Sequence, residues 1–316
     1  MTSVLPLLLV LCAGARAQNA APRGPEEGFA FDLTRIELSA REGSAGLRRR
    51  MSGSELSHED AFRLVLGKLA GSGVPEGSVR AAFDDPQTRV VPEIVERFGK
   101  PAEGMPYEQY RKIFLTEATI EGGARLVRER AALLAEVSAR TGVDRHLATA
   151  LVGVETRYGT RTGQFTVFNA LYTAVRAVPK RSAWAAGELA ELLKLCRAEN
   201  LPAHHILGSY AGAFGFAQFI PSSFNRLAGD FDGDGRKRWD EWPDVLGSVG
   251  NYLARAGYTR GGSFERGSAN WNAIYAYNHA ENYVRVVLEL RQAVLERSLA
   301  PSPKAACENE ACDDIL

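Results

Sequence analysis

The chain reads as mainly α-helical, on three observations. Apolar residues recur at three- and four-residue spacing through most of the 316 residues, strand-like alternation is sparse, and Gly, Pro and Asx clusters fall between the periodic stretches. Each stretch can be taken in order.

Residues 1–17 have the form of a secretory signal: Leu5 to Leu11 is apolar, and Ala15-Arg16-Ala17 is a small-x-small cleavage site before Gln18. The apolar run is too short to span a bilayer. No Lys or Arg precedes it, Pro6 interrupts it, and the large Leu11 before Cys12 argues against a lipoprotein cleavage. Residues 18–55, rich in Gly, Arg, Glu and Ser, read as a poorly ordered linker with at most a short helix near Phe29 to Leu38.

From Ser57 helical signals take over. His58-Glu59-Asp60 opens a helix whose apolar positions are Phe62, Leu64, Val65 and Leu69. A second helix is expected near Val79 to Phe83, then the turn Asp84-Asp85-Pro86. Tyr107, Tyr110 and Phe114 share one face of a short helix. Arg125 to Thr141 is amphipathic, with Leu126, Leu133 and Val137 inward and Gly142 as its stop. The next helix runs from Asp144, an N-cap candidate, to Gly159. Further helices fit Phe168–Val175, Ala183–Arg197, Ser222–Ala228, Pro243–Ala256 and Asn282–Arg297.

With 45% apolar residues the chain can bury a sizeable core, and 38 basic against 38 acidic side chains leave no field that points to nucleic acid or anionic lipid. No later segment is long and apolar enough to cross a membrane. Cys196 sits in a helical pattern as a small apolar residue. Cys307 and Cys312 lie in a polar tail, residues 299–316, and could close a disulfide loop in an oxidising compartment. The lack of a second Cys/His pair at suitable spacing argues against zinc.

The run L-A-T-A-L-V-G-V-E-T-R-Y-G, Leu147 to Gly159, ends in one carboxylate, Glu155. Desolvation at the end of an apolar helix disfavours the charged form and raises the pKa, as a general acid requires. On spacing alone, an ordinary surface Glu paired with Arg157 is equally compatible.

Asp230 to Glu241 reads D-F-D-G-D-G-R-K-R-W-D-E. Asp230, Asp232 and Asp234 occupy positions 1, 3 and 5 of an EF-hand loop, Gly235 the sharp turn at 6, the Arg236 carbonyl position 7, and Glu241 position 12. That pattern suits Ca²⁺ better than an acidic surface turn. No second copy occurs, and polar Lys237 stands where paired loops place an apolar residue, so the expectation is a structural clamp rather than a switch.

Gly208 to Ser223 alternates small residues with aromatics, G-S-Y-A-G-A-F-G-F-A-Q-F-I-P-S-S, which lets backbone approach a ligand while rings stack on it. Ser209 and Gln218 are polar groups in this apolar segment and need partners; a helix cap and a backbone bridge are the plain alternatives. Tyr277-Asn278-His279 adds a second polar-aromatic cluster.

G-V-E-T-R-Y-G, the 208–223 segment, the D-x-D-x-D-G loop, G-S-V-G-N-Y and A-Y-N-H occur in this order. Together they resemble the lytic murein transglycosylase B family over roughly Ser57 to Val294. The resemblance implies a lysozyme-like catalytic core at 122–298 with a single EF-hand loop at 230–241, preceded by an N-terminal helical subdomain at 56–121. It implies that Glu155 is the catalytic acid/base, that Ser209, Gln218 and Tyr252 line the sugar groove, and that Tyr277 and Asn278 face the acid. It further implies Tyr110 as a groove aromatic, Arg181 near the bound glycan or its peptide, and structural Ca²⁺. Lys180 departs from the family's second Arg and loses bidentate geometry. Between Tyr258 and Asn270 only a short Gly/Ser-rich loop stands where some members carry a long insert, so one end of the groove should be open.

The implied activity is cleavage of the MurNAc-β-1,4-GlcNAc bond of peptidoglycan without water, giving 1,6-anhydro-MurNAc ends. A hydrolytic glycosidase usually shows two carboxylates, and no second one stands near the groove motifs. The alternatives are a hydrolytic muramidase and a non-catalytic murein-binding protein. The expected partner is the glycan strand, and the expected form a periplasmic monomer with no nucleic acid and no membrane span.

Overall fold

The computed structural model describes residues 55–99 and 105–300. The expected signal, nearly all of the linker and the Cys307–Cys312 pair lie outside them.

Ser57 starts α1 (His58–Lys68) by accepting a hydrogen bond from the Asp60 amide at 3.0 Å, and Glu59 and Asp60 in the first turn complement the helix dipole. Ala61, Phe62 and Val65 form its buried face. The helix α2 (Glu76–Phe83) brings in Phe83, which packs edge-on against Phe62, Phe168 and Tyr172 at ring separations of 5.5 to 5.6 Å. The next helix, α3 (Pro92–Phe98), was not expected: it is one to two turns long, is set by Pro92 at its start, and buries only Ile94, too little to show a period. In α4 (Tyr107–Phe114) Tyr110 and Phe114 are buried on one face, as the spacing implied.

The single helix expected over Arg125 to Thr141 is two, α5 (Glu117–Glu129) and α6 (Ala131–Thr141). Thr116 caps α5 earlier, accepting from the Thr119 amide, and Arg130 breaks the run at φ −115°, ψ 28°. The break lets both helices pack on the helix that follows. In α6 Leu134 takes the inward position expected of Leu133, which is half-buried. Gly142 ends α6 in the left-handed conformation at φ 79°.

Asp144 caps α7 (Arg145–Thr156), its carboxylate accepting from the Leu147 amide at 2.8 Å. Every residue from His146 to Thr156 is buried, so α7 is the central helix. It ends at Thr156 rather than Gly159, because Arg157 and Tyr158 are left-handed at φ 48° and 59°. The remaining helices are α8 (Val167–Ala177), α9 (Ser182–Ala198), α10 (Pro221–Leu227), α11 (Trp242–Arg255), α12 (Ala269–Tyr277) and α13 (Glu281–Leu299). Of these, α12 had no expected counterpart. Two-residue strands β1 (Phe165–Thr166) and β2 (Leu207–Gly208) pair antiparallel, Phe165 opposite Gly208.

The thirteen helices of the described residues share one hydrophobic cluster that runs from Ala61 to Val294. The boundary expected between residues 121 and 122 falls inside α5. No helix of the described residues is long and apolar enough to cross a membrane.

Candidate active site

Glu155 occupies the last turn of α7 and is 4% exposed. Burial pushes its carboxyl up to about 8, while a hydrogen bond donated by Tyr283 opposes the rise without cancelling it. The Tyr283 hydroxyl, itself buried, reaches Oε1 at 2.5 Å from α13. The surface ion pair with Arg157 does not form: the Arg157 guanidinium donates to the Ile113 carbonyl at 3.2 Å.

Tyrosines enclose the acid. Tyr277 lies parallel to Tyr283, with ring centres 6.4 Å apart, and Tyr252 packs on Tyr277 at 4.7 Å. Both outer hydroxyls are tied down, Tyr277 donating to the Ala217 carbonyl and Tyr252 to the Ala276 carbonyl, each at 2.6 Å. Burial, first, and the nearby Glu155 hold the phenols of Tyr277 and Tyr283 well above their ordinary range, so they remain neutral donors. Tyr110 of α4 stands close enough to Tyr283 to act on its charge.

The 208–219 segment folds as a tight double bend, Phe214 pairing with both Gly208 and Phe219. Gly163 and Gly208 let the β1 and β2 loops touch: a Cβ on Gly163 would stand 2.1 Å from the Gly208 carbonyl. Ser209 is buried, and its hydroxyl closes the bend by accepting from the Ala213 amide at 3.1 Å. Gln218, at φ 48°, donates its amide nitrogen to the Thr162 and Gly215 carbonyls at 3.1 and 3.0 Å. Among the described residues its Oε1 has no partner, and neither has the nitrogen nor the oxygen of the buried Asn278 side-chain amide. Buried amides without partners cost stability and mark a place where a polar ligand would satisfy them.

The turn after Glu155 joins this loop. Thr156 donates its hydroxyl to the Phe216 carbonyl at 2.8 Å and accepts from the Gly159 amide at 2.9 Å. Two successive left-handed non-glycine residues, Arg157 and Tyr158, each cost about 1–2 kcal/mol.

In the acidic loop, Asp230 accepts from the Gly233 and Gly235 amides at 2.7 and 2.8 Å, and Gly233 and Gly235 make the turn at φ 81° and 89°. Carboxylate oxygens of Asp230, Asp232 and Asp244 come within 4.8 Å of one another. Glu241, expected at position 12, is not in that group. It precedes α11 and faces Arg238 at 3.8 Å, whereas Asp244, in the first turn of α11, is buried and turned inward. Asp234 also stands outside the group, its carboxylate accepting from the Arg236 amide at 2.8 Å. The alternating carboxylates on glycine turns fit a hard cation with oxygen ligands. The far end of the loop supports the site, since the Trp239 carbonyl accepts from the Phe216 amide at 2.9 Å.

The model of the family described as Transglycosylase SLT domain matches residues 63–267. The chain belongs to that family. Membrane-bound lytic murein transglycosylase B of Escherichia coli (strain K12) is 35% identical over 154 residues, covering 48% of this chain and 42% of the relative. The match thus spans less than half the length of that curated relative. Among solved structures, soluble lytic transglycosylase SltB1 from Pseudomonas aeruginosa matches with TM-score 0.70 and 26% identity, over 76% of this chain and 100% of that chain. The Escherichia coli lytic transglycosylase Slt35 in complex with calcium matches in fold, with TM-score 0.68 and 23% identity over 76% and 94% of the two chains.

In this SLT-domain chain the family match ends before Tyr277, Asn278 and Tyr283; α12 and the start of α13 bring Tyr277 and Tyr283 to Glu155. Tyr283, the one side chain hydrogen-bonded to Glu155 among the described residues, has no signal of its own in the sequence: it looks like one more apolar position of α13, and only the spacing Y-N-H-A-E-N-Y sets it apart. The structure gathers Glu155, Tyr277, Tyr252 and Tyr110 around Tyr283, with Gln218 joined through the Ala217–Tyr277 bond. Ser209 shapes the loop rather than touching the acid. Arg181 lies in the turn between α8 and α9, its amide bonded to the Val178 carbonyl at 2.8 Å. The short 259–269 loop of this SLT-domain member closes on Asn270, whose amide meets the Thr259 amide and the Thr259 and Gly262 carbonyls at 2.7 to 3.0 Å.

Proposed function

We propose that this chain is a lytic transglycosylase that cleaves the MurNAc-β-1,4-GlcNAc bond of peptidoglycan, with Glu155 as sole acid and base. The observation that carries the reading is one buried carboxyl held protonated near neutral pH, with no second carboxylate acting on it. The other strongly buried Glu, Glu188, is occupied by the Ser222 amide and hydroxyl at 2.9 and 2.8 Å. A water-activating base, which a hydrolase needs, has no candidate beside Glu155 among the described residues.

Glu155 donates its proton to the glycosidic oxygen as the bond from MurNAc C1 breaks. The substrate's own N-acetyl carbonyl meets the positive charge at C1. Glu155, now ionised, takes the proton of the MurNAc 6-hydroxyl as O6 bonds to C1, closing the 1,6-anhydro ring and returning the acid to its starting state. No water enters. Tyr283 holds Oε1 throughout, and its hydrogen bond strengthens while the carboxylate is charged. Asn278, Gln218, Ser209 and Tyr252, with Tyr277 and Tyr110, are the groove residues of this reading, and Arg181 meets the glycan or its peptide. Mass analysis of muropeptides is the test: products one water lighter than hydrolysis products support it, and reducing MurNAc ends would replace it with a hydrolytic muramidase.

Structural Ca²⁺ belongs to the same proposal, held by Asp230, Asp232, Asp234 and the Arg236 carbonyl, with Asp244 taking the place expected of Glu241. The relative Slt35 was solved with calcium. The bound ion would neutralise the clustered carboxylates and fix the loop whose Trp239 carbonyl supports Phe216. Chelation should lower the melting temperature, by the equivalent of about 2.7 kcal/mol where Ca²⁺ had stood at a hundredfold over its Kd. Identical melting curves with and without Ca²⁺ would remove the ion from the account. Export with cleavage after Ala17 completes the reading, and N-terminal sequencing of the periplasmic protein checks it.

A further inference from the structure

Immediately after the catalytic acid the chain does something costly, and the reason lies in one side chain. Tyr158, left-handed at φ 59°, drives its ring back between α5 and α7 into a slot floored by glycines. A Cβ added at Gly153 would stand 2.6 Å from its hydroxyl oxygen, one at Gly123 2.4 Å, and one at Gly122 2.9 Å from its ring. Val294 of α13 closes the same slot, 2.5 Å from that Gly123 Cβ. Inside it, the Tyr158 hydroxyl donates to the Thr119 carbonyl of α5 at 2.9 Å. Three glycines that leave room for one ring, on two helices, are not explained by packing density alone: alanines with a smaller residue at 158 would fill the same space.

The slot determines where Glu155 sits. Tyr158 and Glu155 are three residues apart, separated by the Thr156 and Arg157 turn, and the Tyr158 amide caps α7 on the Val152 carbonyl at 3.3 Å. The helix that supplies Tyr283 to Glu155 also supplies Val294 to the slot, so the acid and its hydrogen-bond donor are referenced to one seat. We propose that Tyr158, locked in the Gly122–Gly123–Gly153 slot, is a positioning residue that holds Glu155 at its reacting place against Tyr283. This rests on the reading of Glu155 as acid/base.

The groups that face Glu155 are neutral phenols from every side: Tyr283 of α13 and Tyr277 of α12 act on it directly, with Tyr252 of α11 and Tyr110 of α4 behind them. No charged side chain among the described residues contributes to its shift. Loosening the seat lets solvent reach the carboxyl and lowers its pKa.

The test compares Tyr158→Leu with the double variant Tyr158→Leu/Gly153→Ala, in which the alanine methyl refills part of the slot. Tyr158→Leu should lower kcat at least about tenfold with KM within about twofold, and the loss of activity with rising pH should move to lower pH. The double variant should recover melting temperature but not kcat or the pH profile. Should kcat and melting temperature recover together, or should the pH profile stay in place in both variants, Tyr158 is a packing residue only. Tyr158→Phe, which keeps the ring, should retain most of kcat. Failure of the acid/base reading itself would show separately, as Glu155→Gln with full turnover.

Discussion

Glu155→Gln should leave folding and glycan binding intact while turnover falls by at least about a thousandfold. Each proton transfer by a positioned acid or base is worth roughly 10²–10⁴, and in the proposed mechanism one carboxyl performs both. The amide keeps the shape of the acid and still accepts the Tyr283 hydroxyl, so retained binding to murein sacculi, measured by pull-down, separates loss of chemistry from loss of the groove. A second effect follows from the raised pKa. The native acid titrates at about 8 against 4.5 when unperturbed, so the folded state binds the proton more tightly than the unfolded chain. The stability this contributes is complete below about pH 4.5 and is lost as pH rises toward 8. At about 1.36 kcal/mol per unit, the loss over that window is on the order of a few kcal/mol. Glutamine does not titrate, so the melting temperature of the variant relative to the native protein should rise from pH 5 to pH 8. A constant difference across that window would show that Glu155 is not buried neutral.

Tyr283→Phe should move the pH dependence in the direction opposite to the Tyr158 variants. The Tyr283 hydroxyl donates to the carboxylate and favours its charged form, holding the pKa below the value that burial alone would set. Removing it raises the pKa further above 8, so the acid stays protonated to higher pH and the fall of activity with rising pH shifts to the alkaline side. A hydrogen bond to a charged group is worth about 1.5–3 kcal/mol, which corresponds to a shift of about one to two pH units. The maximal rate should fall as well, because Oε1 loses its only described tether and the ionised intermediate loses its stabilising donor. A profile that stays in place, or that moves to lower pH, would mean that the phenol does not hold the acid.

Much of the fold was legible because the information is local. Asp144 before an apolar run, Gly142 after another, and the tyrosine face of α4 each act within one or two turns, and each behaves as the pattern implied. Where the expectation failed, a tertiary demand decided the outcome. Arg125 to Thr141 has a continuous helical period, yet the chain breaks at Arg130 so that two short helices can pack on α7. Leu134, not Leu133, faces inward for the same reason. Pro92–Phe98 shows no period because a single buried side chain cannot generate one.

The candidate site divides along the same line. From residue order alone come the acid at the end of an apolar helix, the small-aromatic loop that approaches it, and the alternating carboxylates of the acidic 230–241 loop. These depend on neighbours a few residues apart, and so periodicity and turn chemistry reveal them. What only the folded chain decides is which groups meet. Tyr283 reaches Glu155 across 128 residues, and Asp244 rather than Glu241 joins Asp230 and Asp232, because α11 turns one carboxylate inward and the other toward Arg238. Tyr158 finds glycines on two helices. Such contacts carry no local period. They are set by how buried surfaces close on one another, and that closure, not the sequence around Glu155, makes its carboxyl an acid at neutral pH.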